Sequence, residues 1–114
     1  VQHISPEDLQ ALIDADAVTL IEALPEPRYD AEHLSGAVNL PGELTADLAQ
    51  VLAPERSRTV VAYCSGPSCG RSKVAAAAFT RLGYSDVRVY PDGKADWVDA
   101  GLPIEGARAI PKAA

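Results

Sequence analysis

The sequence predicts an α/β fold with a central parallel β-sheet flanked by helices on both faces. Three observations carry that expectation. Short apolar or β-branched runs at residues 18–24, 59–63 and 87–90 read as strands, the first of them apolar enough to be buried on both faces. Helical patterns lie between them, and strand–helix alternation builds parallel sheets. The chain has 114 residues, 47% hydrophobic and 23% charged, which is the size of one domain and the composition of a globule. A single domain over residues 1–114 is expected, with its core at about 4–105 and a C-terminal tail at 106–114.

The elements follow in order. Ser5-Pro6-Glu7-Asp8 supplies a capping hydroxyl, a proline at the first helical position and acids in the first turn, and Leu9, Leu12 and Ile13 follow at helical spacing. The strand at 18–24 is stopped by Pro25 and Pro27, and a polar, turn-rich segment comes next. A loop containing Gly36 feeds a short strand at Ala37-Val38-Asn39-Leu40, closed by Pro41-Gly42. Thr45 caps a helix running to Leu52, with Leu44, Leu48, Val51 and Leu52 on one side. The strand at 59–63 ends at Cys64, and a loop rich in Gly and Pro spans 65–70. A helix then starts at about Ser72, places Val74, Ala75, Ala78, Phe79 and Leu82 on one face and stops at Gly83. After the strand at 87–90, Pro91-Asp92-Gly93 turns the chain, and Trp97 with Val98 anchors a last helix ended by Gly101.

Ten basic and sixteen acidic residues leave a net charge of −6, which repels phosphate backbones and anionic lipid. Nucleic acid and membrane surfaces are therefore not expected partners, and any anion must be held by local fields. No apolar stretch approaches the ~18 residues of a membrane span. Residues 1–10 lack the basic and apolar regions of a signal peptide, so a cytoplasmic protein is expected. Two cysteines are too few for a disulfide framework, and His3 and His33 lie too far apart for zinc-ligand spacing. No metal or cofactor is expected, and with no long amphipathic seam a monomer is.

The cysteines point to chemistry. In the predicted fold, ligands bind at the carboxyl ends of strands, and Cys64 sits at such an end. Loop N–H groups and the positive end of the following helix would favour its thiolate, with Arg71 and Lys73 adding cationic charge. The same cradle would hold an anionic substrate or a persulfide.

The segment Tyr63-Cys64-Ser65-Gly66-Pro67 through Arg71-Ser72 to Leu82-Gly83-Tyr84 resembles the active-site region of the rhodanese-like family. Leu20-Ile21-Glu22, Tyr29 and His33-Leu34-Ser35-Gly36-Ala37-Val38-Asn39-Leu40-Pro41 resemble its early strand and following stretch. Gly93 to Trp97 with Ala100-Gly101-Leu102-Pro103-Ile104 resembles its C-terminal pattern. Several weak motifs in register make the likeness specific. The resemblance implies a rhodanese-like α/β fold and sulfur transfer through a Cys64 persulfide without a cofactor. Thiosulfate is the representative donor, and the acceptor is a thiol, a cyanide-like nucleophile or a protein persulfide. It also implies that Ser65, Gly66, Pro67, Ser68, Cys69, Gly70 and Ser72 form the substrate-binding loop and that Arg71 is the basic residue favouring anions.

The chain departs from that pattern in three places. Arg71 lies seven positions beyond Cys64, a longer loop than usual, with room for a larger anion such as a phosphate- or arsenate-like group. The usual Asp-x-Arg after the early strand is Glu22-Ala23-Leu24, which lacks its arginine; Arg28 is the nearest replacement. Cys69 adds a second loop thiol, either a resolving thiol for Cys64, giving thiol–disulfide or oxyanion-reductase chemistry, or a thiol that merely packs. A non-catalytic binding module is the further alternative. Elsewhere, His33 and Trp97 read as structural, Asp96 and Asp99 as solvated, and Asp92-Gly93-Lys94 as an exposed turn.

Overall fold

A computed structural model describes residues 2–107 of the chain. The elements are β1 (Gln2–His3), α1 (Pro6–Asp14), β2 (Val18–Glu22), α2 (Glu26–Ala31), β3 (His33–Leu34), β4 (Val38–Asn39), α3 (Ala46–Leu52), β5 (Thr59–Tyr63), α4 (Arg71–Arg81), β6 (Val87–Val89), α5 (Gly93–Asp99) and β7 (Ile104–Glu105). The tail expected at 106–114 lies, past Ala107, outside the described residues.

Five strands form one sheet in the order β1-β6-β5-β2-β4, and every pairing in it is parallel. β3 and β7 make a separate antiparallel pair, with His33 opposite Glu105. Alternation along the strands feeds two cores. Ile21, Val60, Ala62, Val87 and Val89 point to one face, where Ala49 of α3 and Ala75, Ala76 and Phe79 of α4 cover them. Leu20, Val61 and Tyr63 point to the other, under Leu9 of α1 and Trp97 of α5. Burial of both faces explains the near-continuous apolar runs of β2 and β5. Among the described residues no helix is long and apolar enough to cross a membrane.

Local chemistry sets the helix ends. The Ser5 hydroxyl accepts from the Asp8 N–H at 3.1 Å, and Thr45 does the same for Leu48 at 3.1 Å. Two expected faces are corrected. Val51 is 76% exposed and Val74 71% exposed; Ala49 takes the buried place in α3, and Ala75, Ala76 and Phe79 take it in α4. Val74 lies on the other side of α4, where it lines a groove of about 650 Å³ with Leu40, Leu44 and Arg71. The segment after β2, expected to be only turns, holds α2: Pro27 falls in its first turn, where a missing N–H costs no helix bond.

Candidate active site at the end of strand β5

Cys64 directly follows β5 and is 2% exposed. Its position is fixed by backbone bonds from the β6–α5 turn: the Lys94 N–H donates to the Cys64 carbonyl at 2.8 Å and the Ala95 N–H to that of Ser65 at 3.1 Å. Gly93 makes this approach possible. It sits at φ +76°, and a Cβ there would fall 2.6 Å from the Gly66 nitrogen, so only glycine lets the turn press against the loop.

The loop turns back on itself through a bond from the Cys69 N–H to the Gly66 carbonyl at 3.1 Å. That turn brings the two cysteines together. The Cys64 thiol donates to the Cys69 carbonyl oxygen at 3.3 Å, and its sulfur lies 3.4 Å from Ser72 Oγ. Burial pushes the Cys64 thiol up and the neighbouring Cys69 adds to that, while the Ser72 hydroxyl and N–H pull it down. Cys69 is held below its ordinary value even though burial opposes this, because the neighbouring Cys64, the N–H groups of Arg71 and Ser65 and the Ser65 hydroxyl favour its anion. Opposing groups thus face Cys64: the Ser72 N–H and hydroxyl favour its anion, and the Cys69 carbonyl oxygen disfavours it.

Of the remaining loop residues, Ser65 and Gly66 are half-buried, Ser72 is buried, and Pro67, Ser68 and Gly70 are exposed. Arg71 opens α4, as expected. Its Nε donates to the Ala23 carbonyl at 2.8 Å and its guanidinium to the Pro41 carbonyl at 2.8 Å, so the charge is engaged with backbone. Arg28 lies with Ser65 and Lys94 on the wall of a second cleft, about 390 Å³ in volume.

The turn expected to be exposed is corrected as well, because Lys94 is 5% exposed. Its ammonium donates to Glu22 Oε2 at 3.1 Å and to the carbonyls of Arg28 at 3.0 Å and Glu32 at 2.6 Å. Tyr63 donates to Glu22 Oε1 at 2.7 Å and accepts from the Leu34 N–H at 3.1 Å. Burial and the Glu22 carboxylate hold that phenol far above its usual range. Sequence reading overlooked this cluster, and its one signal was an acid at the end of an apolar strand, which requires a buried partner. His33 stacks on Tyr29 at 3.8 Å, and Trp97 donates to the Pro103 carbonyl at 2.9 Å, both structural roles. Asp96 is exposed and accepts from Tyr90 at 3.0 Å. Among the described residues no three His, Cys, Asp or Glu side chains are placed to hold a metal ion.

A family model described as Rhodanese-like domain matches residues 5–100. The chain belongs to the rhodanese-like domain family. HTH-type transcriptional regulator Rv0324 of Mycobacterium tuberculosis is 37% identical to this rhodanese-like domain over 111 residues, covering 90% of the chain and 47% of that protein. The chain spans about half the length of the curated relatives it matches. The BH2092 protein of Bacillus halodurans has the same fold at a TM-score of 0.85 and 23% identity, covering 96% of this chain and 82% of that one. Thiosulfate sulfurtransferase from Pseudomonas aeruginosa is similar at a TM-score of 0.74 and 24% identity, covering 97% of this chain and 22% of that one.

Proposed function

We propose that this rhodanese-like domain is a sulfurtransferase that carries sulfane sulfur on Cys64. The supporting observation is a thiol at the carboxyl end of a central parallel strand, anchored by the β6–α5 turn and facing the Ser72 hydroxyl at the start of α4. The Cys64 sulfur, once ionised, attacks the outer sulfur of a donor anion such as thiosulfate; the sulfur–sulfur bond of the donor breaks and sulfite leaves with its electron pair. A thiol or cyanide then takes the outer sulfur from the persulfide. An acidic chain repels such a donor at long range, so binding rests on the loop N–H groups and Arg28.

The experiment is thiocyanate formation from thiosulfate and cyanide by wild type and Cys64→Ser. Wild type is expected to turn over and the variant to lose at least about 100-fold, since the nucleophile itself is removed. Activity that survives in Cys64→Ser overturns the reading. A second reading, in which the thiols report sulfur or oxidant status to a linked segment, is favoured by the name of the Mycobacterium tuberculosis relative, whose length this chain half spans.

A further inference from the structure

Two openings flank the Cys64 loop, one on each side of the sheet. The cleft lined by Arg28, Ser65 and Lys94, which the proposed donor anion uses, lies on the side of α2 and α5. The groove of about 650 Å³ lies on the side of α4, and the donor leaves it without an occupant. Its size is far beyond that of a small oxyanion and within the range of sites that hold an organic ligand. Most of its wall is apolar, with Ala23, Leu40, Leu44 and Ala78 around a Val74 that is 71% exposed. One end of the groove meets the active loop. Gly70 lines it, and the preceding Cys69 carbonyl lies 3.3 Å from the Cys64 sulfur, so the Cys69–Gly70 peptide has the reacting sulfur against one end and the groove against the other. Ala23 also lines it, and its N–H donates at 2.9 Å to the carbonyl of Tyr63, the residue before Cys64. The other end is basic. Arg81 lies about 15 Å further along α4 at 1.5 Å per residue, is exposed, and makes no ion pair among the described residues. α4 carries Arg71, Lys73 and Arg81 and no acid, on a chain of net charge −6, and Glu43 is the one acid on the groove wall. The matching occupant is apolar along its length, anionic at the Arg81 end and reactive at the Gly70 end.

Resting on the Cys64 persulfide reading, we propose that this groove is the acceptor subsite, and that the acceptor is a thiol at one end of an apolar chain whose other end is a carboxylate. The acceptor thiolate attacks the outer sulfur of the Cys64 persulfide. A bond forms between the acceptor sulfur and the outer sulfur, the bond from the outer sulfur to Cys64 breaks, and Cys64 leaves as a thiolate with its electron pair. The acceptor departs as a persulfide, and the step consumes no oxidant or reductant. Val74 and Leu44 cover the chain and Arg81 draws the carboxylate, while Glu43 opposes it. Donor and acceptor thus approach the Cys64 loop from opposite sides of the sheet.

The test charges the reduced full chain with thiosulfate, removes the donor, and follows loss of the added sulfur by intact mass after mixing with mercaptopropionate, mercaptooctanoate or mercaptooctanol, each with its thiol and its oxygen group at opposite ends. At equal, subsaturating concentrations, mercaptooctanoate should discharge wild type at least about tenfold faster than mercaptopropionate, since each half-buried methylene adds about twofold. It should outpace mercaptooctanol about two- to fivefold, the worth of one exposed ion pair. Val74 and Arg81 are both exposed, so their variants leave the core untouched. Val74→Glu should erase the preference for the long chain, Arg81→Gln should erase the preference for acid over alcohol, and Glu43→Gln should enlarge the latter. Equal discharge by the short and long acids, or a chain-length preference that survives in Val74→Glu, overturns the inference while leaving sulfur carriage by Cys64 intact. A wild-type dimer that Val74→Glu dissociates in sedimentation gives the groove to a second copy and also overturns it. No gain of sulfur on charging overturns the Cys64 reading itself and this inference with it.

Discussion

Cys69 is the more readily ionised of the two loop sulfurs, and this has a measurable consequence. A thiolate alkylates and a thiol hardly does, so the order of labelling follows the order of ionisation. Cys69 is held below the ordinary thiol value by its hydrogen-bonding neighbours, and Cys64 is held above it by burial. As pH rises from mildly acidic values, Cys69 should therefore label with iodoacetamide first and Cys64 only later. Peptide mapping at a series of pH values checks the order, and labelling of Cys64 ahead of Cys69 would contradict it. Both cysteines were legible in the sequence as loop thiols at a strand end. Which of them ionises more readily was not, because that depends on how the Cys69 peptide is turned, and the flanking glycines Gly66 and Gly70 permit several orientations.

Arg71 acts at the level of elements. Its two bonds, to Ala23 after β2 and to Pro41 after β4, clasp the start of α4 to the ends of two strands. Charged donors on neutral acceptors contribute about 1.5–3 kcal/mol each when buried. Here the Pro41 bond is exposed, so Arg71→Gln is expected to cost about 1–2 kcal/mol in urea unfolding. Since the guanidinium is engaged, KM for thiosulfate should change less than kcat, which falls as the loop loses its anchor. A large rise in KM with unchanged stability would instead give Arg71 the anion-binding role that the family resemblance implies. The sequence could identify Arg71 but not its acceptors, which are backbone carbonyls and carry no residue signature. α1, α3, α4 and β5 were readable because caps and periodicity mark them. β3 and β7 were not, since two-residue strands show no alternation to read.

The molecule has two cores on opposite sides of one sheet, and the Glu22–Lys94–Tyr63 cluster closes the end of the sheet where Cys64 lies. It joins β2, β5 and α5 directly, and reaches α2 and β3 through the Arg28, Glu32 and Leu34 backbone. Nothing local in the sequence announces it. Glu22 and Lys94 are 72 positions apart, and only the parallel topology brings them together. A buried pair adds little over apolar packing, but removing one partner strands the other charge and costs about 3–5 kcal/mol. Small domains have about 5–15 kcal/mol in total, so Lys94→Met should bring this one close to its unfolding threshold. It should also lower sulfur transfer, because the Lys94 N–H holds the Cys64 carbonyl and the turn moves with its side chain. Adding Glu22→Gln removes the stranded carboxylate while keeping an acceptor for Tyr63. The double variant should therefore recover much of the stability lost by Lys94→Met alone. Urea unfolding of wild type, both single variants and the double variant measures that coupling, and strictly additive losses would mean that the pair carries no shared energy and that the end of the sheet is held by packing.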